Sequence, residues 1–314
     1  MYKLISKVLT LSLAMGLAGS VFAENILEEI QSRGEIRMAI FLKSASPLQR
    51  PNAQTGEAEG YFADLGRMIA KDLGVKAVFI DTEWKAIIPT LLSGKADMII
   101  AAPSATPVRA LSIDFPATTA YYDVSVLVHK DGPVQSLDDV SKPGVKISVM
   151  EGSTQHFFAM NSFPNAVIRA TEGSMEARLE VASQRSDVTF QDAYQSVKFS
   201  KEYPDTIVLR DEKGKIVVAQ REPGSFAIRQ GDQRFYNWLQ NWTQWNREQG
   251  VLKALYNKWM GSLMSECNIS SHNFNFIHHI EMGSVDKRLQ APILVLTMLI
   301  ASSDLRCMNP YWDK

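Results

Sequence analysis

From Ile26 onward the apolar positions alternate between short continuous runs and patterns that repeat once per helical turn. "IRMAIF", Ile36 to Phe41, has the length and composition of a buried strand. In "FADLGRMIAKDLG", starting at Phe62, Leu65, Ile69 and Leu73 recur one turn apart, and Gly74 supplies a helix stop. "VKAVFI" from Val75 reads as a second strand. "WKAIIPTLLSG" from Trp84 reads as a helix that Pro89 bends or delays, and "DMIIAA" from Asp97 as a third strand. A β-α-β-α-β order predicts a largely parallel sheet covered by helices on both faces.

A second series follows "DGPVQSLDDVSKPG". Its strands are "VKISVM", "AVIRA" and "DVTF", and its helices are "STQHFFAMNSF", "SMEARLEVAS" and "DAYQSVKFSKEY". The link between the two series, "TTAYYDVSVLVHK", is itself β-like and lacks the Gly/Ser enrichment of a flexible tether. Two α/β units joined by extended segments predict a hinge. "FYNWLQNWTQWNREQGVLKALYNKWMG" is strongly helical. Trp238, Trp242 and Trp245 recur at i, i+4 and i+7, which predicts a packed stripe rather than a carbohydrate platform. From residue 263 to 314 no period persists, and "APILVLTMLIA" is too short to cross a bilayer, so this stretch reads as an atypical, poorly ordered tail. His272, His278 and His279 within it have no metal-ligand spacing.

Composition narrows the classes of function. The chain has 314 residues, 46% of them hydrophobic, enough for about two ordinary domains. With 33 basic and 34 acidic residues and no Lys/Arg block, it has no field to gather a nucleic acid. Residues 1–23 read as a secretory signal: Lys3 and Lys7 precede a short apolar segment, and Val21-Phe22-Ala23 resembles a cleavage site. Export permits disulfides, yet Cys267 and Cys307 are the only cysteines and both fall in the tail. No HExxH, no Gly-x-Ser-x-Gly elbow and no other metal or cofactor motif occurs.

Three loops carry candidate chemistry. In "AAPSATPVR", Thr106 and Pro107 form a helix-start signal that puts Arg109 in a first turn, where its guanidinium, the Ser104 and Thr106 hydroxyls and free N–H groups can converge on a carboxylate. A solvated surface arginine is the plainer alternative. "EGST", Glu151 to Thr154, offers a similar anion-friendly turn, although Gly-Ser-Thr is also ordinary capping chemistry. Asp192 ends the strand "DVTFQD", where a carboxylate either caps the next helix or holds a ligand ammonium.

Taken in order, "GEAEGYFADLGRMIAKDLG", "WKAIIPTLLSGKADMIIAAPSATPVRALSIDF", the Tyr121-Tyr122 pair, "VKISVMEGST" and "RSDVTFQDAY" resemble the periplasmic solute-binding proteins of amino-acid ABC importers over roughly Ile26 to Gly261. The resemblance implies a two-lobed α/β clamp. Lobe 1 would span 24–122 and 221–262, lobe 2 would span 123–220, and crossovers would lie near Tyr121 to Ser125 and Ala219 to Glu222. Arg109, Ser104 and Thr154 would take a ligand α-carboxylate. Asp192 and the Ala102 carbonyl would take the α-ammonium, and Trp84 would pack on the ligand. Gln155 and Gln191 are candidates for side-chain specificity, as are two departures from the family pattern, Ala45 in place of an aromatic and the apolar Met150. The implied protein is a monomeric periplasmic receptor with no cofactor that delivers an amino acid or analogue to a membrane permease. A cyclohexadienyl or arogenate dehydratase-like enzyme on the same scaffold is the alternative, as is a receptor feeding a sensor.

Overall fold

The computed structural model describes residues 25–264 apart from position 45. The expected leader over residues 1–23, Ala45, and the cysteines and histidines of the C-terminal stretch lie outside the described residues.

Helix α1 (Ile26–Arg33) starts where the Asn25 side chain accepts the Glu28 N–H and stops at Gly34, whose φ of 72° is left-handed. Strand β1 (Glu35–Ile40) follows, then a two-stranded ribbon of β2 (Arg50–Pro51) and β3 (Ala58–Glu59). Gly60, at φ 118°, admits the chain to α2 (Tyr61–Leu73); a Cβ there would lie 2.7 Å from the Leu48 carbonyl oxygen. The buried stripe of α2 runs through Tyr61, Phe62, Leu65, Ile69 and Leu73. Strand β4 (Lys76–Asp81) precedes a single 3-10 turn at Trp84–Ala86 and helix α3 (Ile87–Leu92). Pro89 is the third residue of α3, in the first turn where no N–H donor is needed, so it delays the helix rather than breaking it. Strands β5 (Met98–Ile99) and β6 (Ile113–Asp114) bracket the Ser104–Arg109 loop.

Strand β7 (Thr118–His129) carries the chain into the second lobe. That lobe holds β8 (Lys146–Met150), α4 (Thr154–Ser162), β9 (Val167–Thr171), α5 (Ser174–Ala182), β10 (Val188–Asp192), α6 (Ala193–Glu202) and β11 (Thr206–Val208). Strand β12 (Val218–Ser225) returns to the first lobe, which is completed by β13 (Ala227–Arg229), α7 (Gln233–Glu248) and α8 (Val251–Met264).

The first sheet has the order β4-β1-β5-β13-β6, with β1 parallel to β4 and β5 and β13 antiparallel to both its neighbours. The second has the order β11-β7-β10-β8-β9, parallel from β10 through β9. The crossovers β7 and β12 pair antiparallel with each other, Glu222 opposite Tyr122 and Arg221 opposite Asp123. The parallel parts are those foreseen from the β-α alternation. The β7–β12 pair is antiparallel because the chain enters and leaves the second lobe along the same path.

Two expectations need correction. Trp245 is 67% exposed, while Trp242 is buried and stacks on the partly buried Trp238. The inward stripe of α7 is set by Phe235, Leu239, Trp242 and Asn246, and at 100° per residue Trp245 falls about a quarter turn off it. The segment after Pro107 forms only one 3-10 turn, Arg109–Leu111, before β6 begins at Ile113. The Thr106 hydroxyl still accepts the Arg109 N–H, at 3.3 Å.

Gly224 marks a place where backbones meet. A Cβ there would lie 2.6 Å from the Tyr122 ring and 2.8 Å from the Ala102 carbonyl oxygen. Gly224→Ala is expected to cost about 1–3 kcal/mol, the usual penalty of overpacking a filled site. Urea denaturation checks this, and an unchanged midpoint would mean that the two crossovers are free to separate.

Candidate functional site

The walls of one cavity come from both lobes. Phe41, Trp84, Ala102 and Ser104 contribute from the first, Met150, Thr154, Gln155, Gln191 and Asp192 from the second, and Tyr122 and Glu222 from the crossovers. Each group arrives there for a local reason. The chain beyond β5 leaves the sheet at Ala102, which adopts φ 46°, a left-handed conformation that costs a non-glycine residue about 1–2 kcal/mol. Its carbonyl accepts the Tyr122 hydroxyl at 3.0 Å. The next residues dock on β12 through Ala105 N–H to Pro223 O and Ser225 N–H to Pro103 O, which fixes Ser104 beside the crossover. On the other side Gly152, at φ 72°, turns the chain from β8 into α4. Ser153 caps that helix by accepting the His156 N–H, leaving Thr154 as its first residue.

Glu222 joins these pieces. Its Oε2 accepts the Ser104 hydroxyl and, at 2.6 Å, the Thr154 hydroxyl. Arg109 lies close behind. Its guanidinium donates to the Ser104 carbonyl at 3.0 Å and to the Gly152 carbonyl at 3.3 Å, crossing from one lobe to the other, and its Cζ stands 5.9 Å from the Trp84 ring centre. Arg109 is not among the residues lining the cavity. Trp84 is half-buried and packs tilted against Phe41.

Asp192 ends β10, and its side chain does not cap α6. Its Oδ2 accepts the Gln195 amide at 3.4 Å. Burial pushes its carboxyl up to about 7; the negative charge of Glu222 adds to the rise, and Arg178 works against it. Burial also raises Glu222, opposed by the hydrogen bonds from Ser104 and Thr154 and by the charge of Arg109. Gln191 lines the cavity, but its amide is engaged by Arg178 and by the Thr189 hydroxyl. Met150 packs onto the apolar cluster of the first lobe that includes Phe41 and Ile87.

The sequence reading did not single out Glu222 or Arg178. Glu222 was placed only as the end of a crossover, and its one local signal is an acid ahead of Pro-Gly in an otherwise β-like segment. Arg178 is 4% exposed on α5 and donates to Gln191 and Gln195, partners supplied by other elements, so no local pattern marks it. Among the described residues neither lysine nor arginine lines the cavity, whereas the carboxyl groups of Asp192 and Glu222 do. The arrangement can receive a cation at the acids and an anion at the hydroxyl pair. Among the described residues no group of His, Cys, Asp and Glu is arranged to hold a metal ion. No described helix is long and apolar enough to cross a membrane.

Residues 39–262 match the bacterial extracellular solute-binding proteins, family 3. The chain belongs to this family. Its fold is similar to that of the ancestral amino acid-binding protein AncCDT-1, a precursor of cyclohexadienyl dehydratase, at 33% identity and a TM-score of 0.66 over 74% of this chain and 98% of that one. It is likewise similar in fold to a cysteine-binding protein from Campylobacter jejuni, at 22% identity and a TM-score of 0.68 over 79% and 96% of the two chains. Among curated relatives, the ABC transporter glutamine-binding protein GlnH of Bacillus subtilis is 27% identical over 217 residues, covering 67% of this chain and 75% of GlnH.

The raised carboxyl has a consequence for stability. Between the ~3.9 of an unfolded aspartate and the value of about 7 in the fold, the folded chain keeps a proton that the unfolded chain has released. Stability of the ligand-free protein therefore falls as pH rises through that window, and Glu222 contributes with the same sign. Asp192→Asn is expected to flatten this slope, read from urea midpoints at pH 5 and pH 7.5. A slope equal to that of the wild type would mean that Asp192 ionises as freely in the fold as out of it.

Proposed function

We propose that the protein captures an amino acid or a close analogue outside the cytoplasm, after export through a cleaved leader, and presents it as a monomer to the permease of an ABC importer. The observation that supports this best is the meeting, around one cavity, of an acceptor for an ammonium and donors for a carboxylate drawn from two lobes. Asp192 and the Ala102 carbonyl receive the α-ammonium. The Ser104 and Thr154 hydroxyls receive the α-carboxylate, with Arg109 supplying positive charge behind them, and Trp84 packs on the ligand. A zwitterion touching both lobes at once then favours the closed arrangement.

The side chain of the ligand is basic in this reading. Among the described residues the cavity is lined by the carboxyl groups of Asp192 and Glu222 and by no cation, so a second ammonium or a guanidinium relieves the repulsion between the two acids. The description of AncCDT-1 as an ancestral cationic amino acid solute-binding protein supports the same choice. Met150 and Gln155 border the space left for that side chain. Asp192 and Glu222 are the carboxyl groups among the described cavity-lining residues, and Gln195 beside them carries an amide that donates to Tyr194 and Asp192, so a dehydration on this scaffold would have to use one of the two acids.

Calorimetric titration with the twenty amino acids, prephenate and arogenate tests the proposal. Saturable binding of a basic amino acid with no chemical change is the expected result, and turnover of prephenate or arogenate would replace the receptor with an enzyme. Asp192→Asn is expected to weaken α-amino ligands by roughly 2–5 kcal/mol, the range for leaving one member of a buried charged pair unmatched. The corresponding keto acids should lose much less. Arg109→Ala should weaken amino acids and keto acids alike, and equal affinities in wild type and variant would remove Arg109 from the site.

A further inference from the structure

The two hydroxyls assigned to a ligand carboxylate already have an acceptor. Oε2 of Glu222 takes Ser104 from the first lobe and Thr154 from the second. Oε1 of the same carboxyl is buried and has no hydrogen-bond partner among the described residues, and the residue as a whole is 3% exposed. A buried carboxyl with one oxygen unsatisfied is unfavourable and calls for a reason. Its position supplies one. Glu222 sits on β12, in the crossover, while its two donors belong to separate lobes, so from within the chain it makes the bridging contact that a bound carboxylate would make.

We propose that Glu222 is a specificity-determining residue that stands in for the ligand carboxylate, holding Ser104 and Thr154 together across the cleft and giving both up when an α-carboxylate arrives. The inference rests on reading the cleft as an amino-acid site. As a tethered group Glu222 competes at a high effective concentration, so it weakens every ligand that must take the hydroxyl pair. An amine without a carboxylate leaves that pair in place and escapes the competition. The discrimination between an amino acid and its decarboxylated amine is therefore narrower than the same cleft would show without Glu222. Once displaced, the carboxylate remains in a cavity it shares with Asp192, where a ligand with two cationic groups satisfies both acids. A basic amino acid thus releases Glu222 more readily than a neutral one does.

Glu222→Ala removes the competitor, and Glu222→Gln keeps its size and one acceptor oxygen should the alanine variant fold poorly. Affinities for arginine and for agmatine, its decarboxylated counterpart, are measured by calorimetry on wild type and both variants. Small-angle X-ray scattering on the same ligand-free proteins reports the separation of the lobes. For Glu222→Ala, the ratio of arginine to agmatine affinity is expected to rise at least tenfold, because both ligands lose the attraction of their second cation to Glu222 while arginine alone gains the freed hydroxyl pair. The ligand-free radius of gyration should rise and return to the wild-type value with arginine, and Glu222→Gln should lie between. Parallel loss of arginine and agmatine affinity would make Glu222 an ordinary ligand contact and overturn the proposal, as would unchanged affinities with unchanged scattering. If no amino acid binds wild type or variant, the amino-acid reading fails instead, and the ligand-free scattering alone decides whether Glu222 holds the lobes.

Discussion

The antiparallel ladder between β7 and β12 is the interaction on which the rest of the site depends. It pairs the two segments that pass between the lobes and puts Glu222 opposite Tyr122. From that register Tyr122 reaches the Ala102 carbonyl, and Gly224 leaves room for the same carbonyl to approach. The loop carrying Ser104 then adds to β12 through two backbone hydrogen bonds. The crossover is therefore part of the cavity wall. A change in its register by one residue would turn Glu222 to the opposite face and leave the hydroxyl pair without its acceptor.

Electrostatics gives the cavity its character. The carboxyl groups of Asp192 and Glu222 face it, while Arg178 and Arg109, whose charges act on them, are directed onto carbonyl and amide oxygens of the protein. Burial weakens the hydration of all four groups, and it lowers the tendency of both arginines to hold their protons as it raises that of both acids. In such surroundings a cation brings more than its own contacts, because it offsets the repulsion between Asp192 and Glu222.

Membership of the extracellular solute-binding family accounts for the shared architecture, and fold alone does not determine what a cleft takes. The departures within this chain matter more for that question. Met150 packs on the apolar cluster of the opposite lobe, and the amide of Gln191 is held by its own lobe, so neither is a free polar contact for a ligand side chain. In the function proposed here, chemical selectivity rests accordingly on Asp192, Glu222 and the space beside Gln155.

Much of the fold was legible in the chain because local physics dictates it. The spacing of Leu65, Ile69 and Leu73, the stop at Gly74 and the delay at Pro89 act over one or two turns and need no distant partner. The turns at Ser104, Gly152 and Asp192 were legible for the same reason, since strand ends and helix starts have their own residue chemistry. Trp245 was misread because the phase of a helix is set by the surface it packs against, and the Phe235 and Trp242 stripe won that choice. Glu222 and Arg178 were missed because their partners lie far away along the chain: Ser104 is 118 positions from Glu222, and Gln195 is 17 from Arg178 on another helix. The sequence by itself determined the elements and their order, because these follow from local spacing. Only the tertiary structure decided that the crossover carboxyl of Glu222 meets Ser104 and Thr154, since a buried acid finds its partners by position in space and not by spacing along the chain.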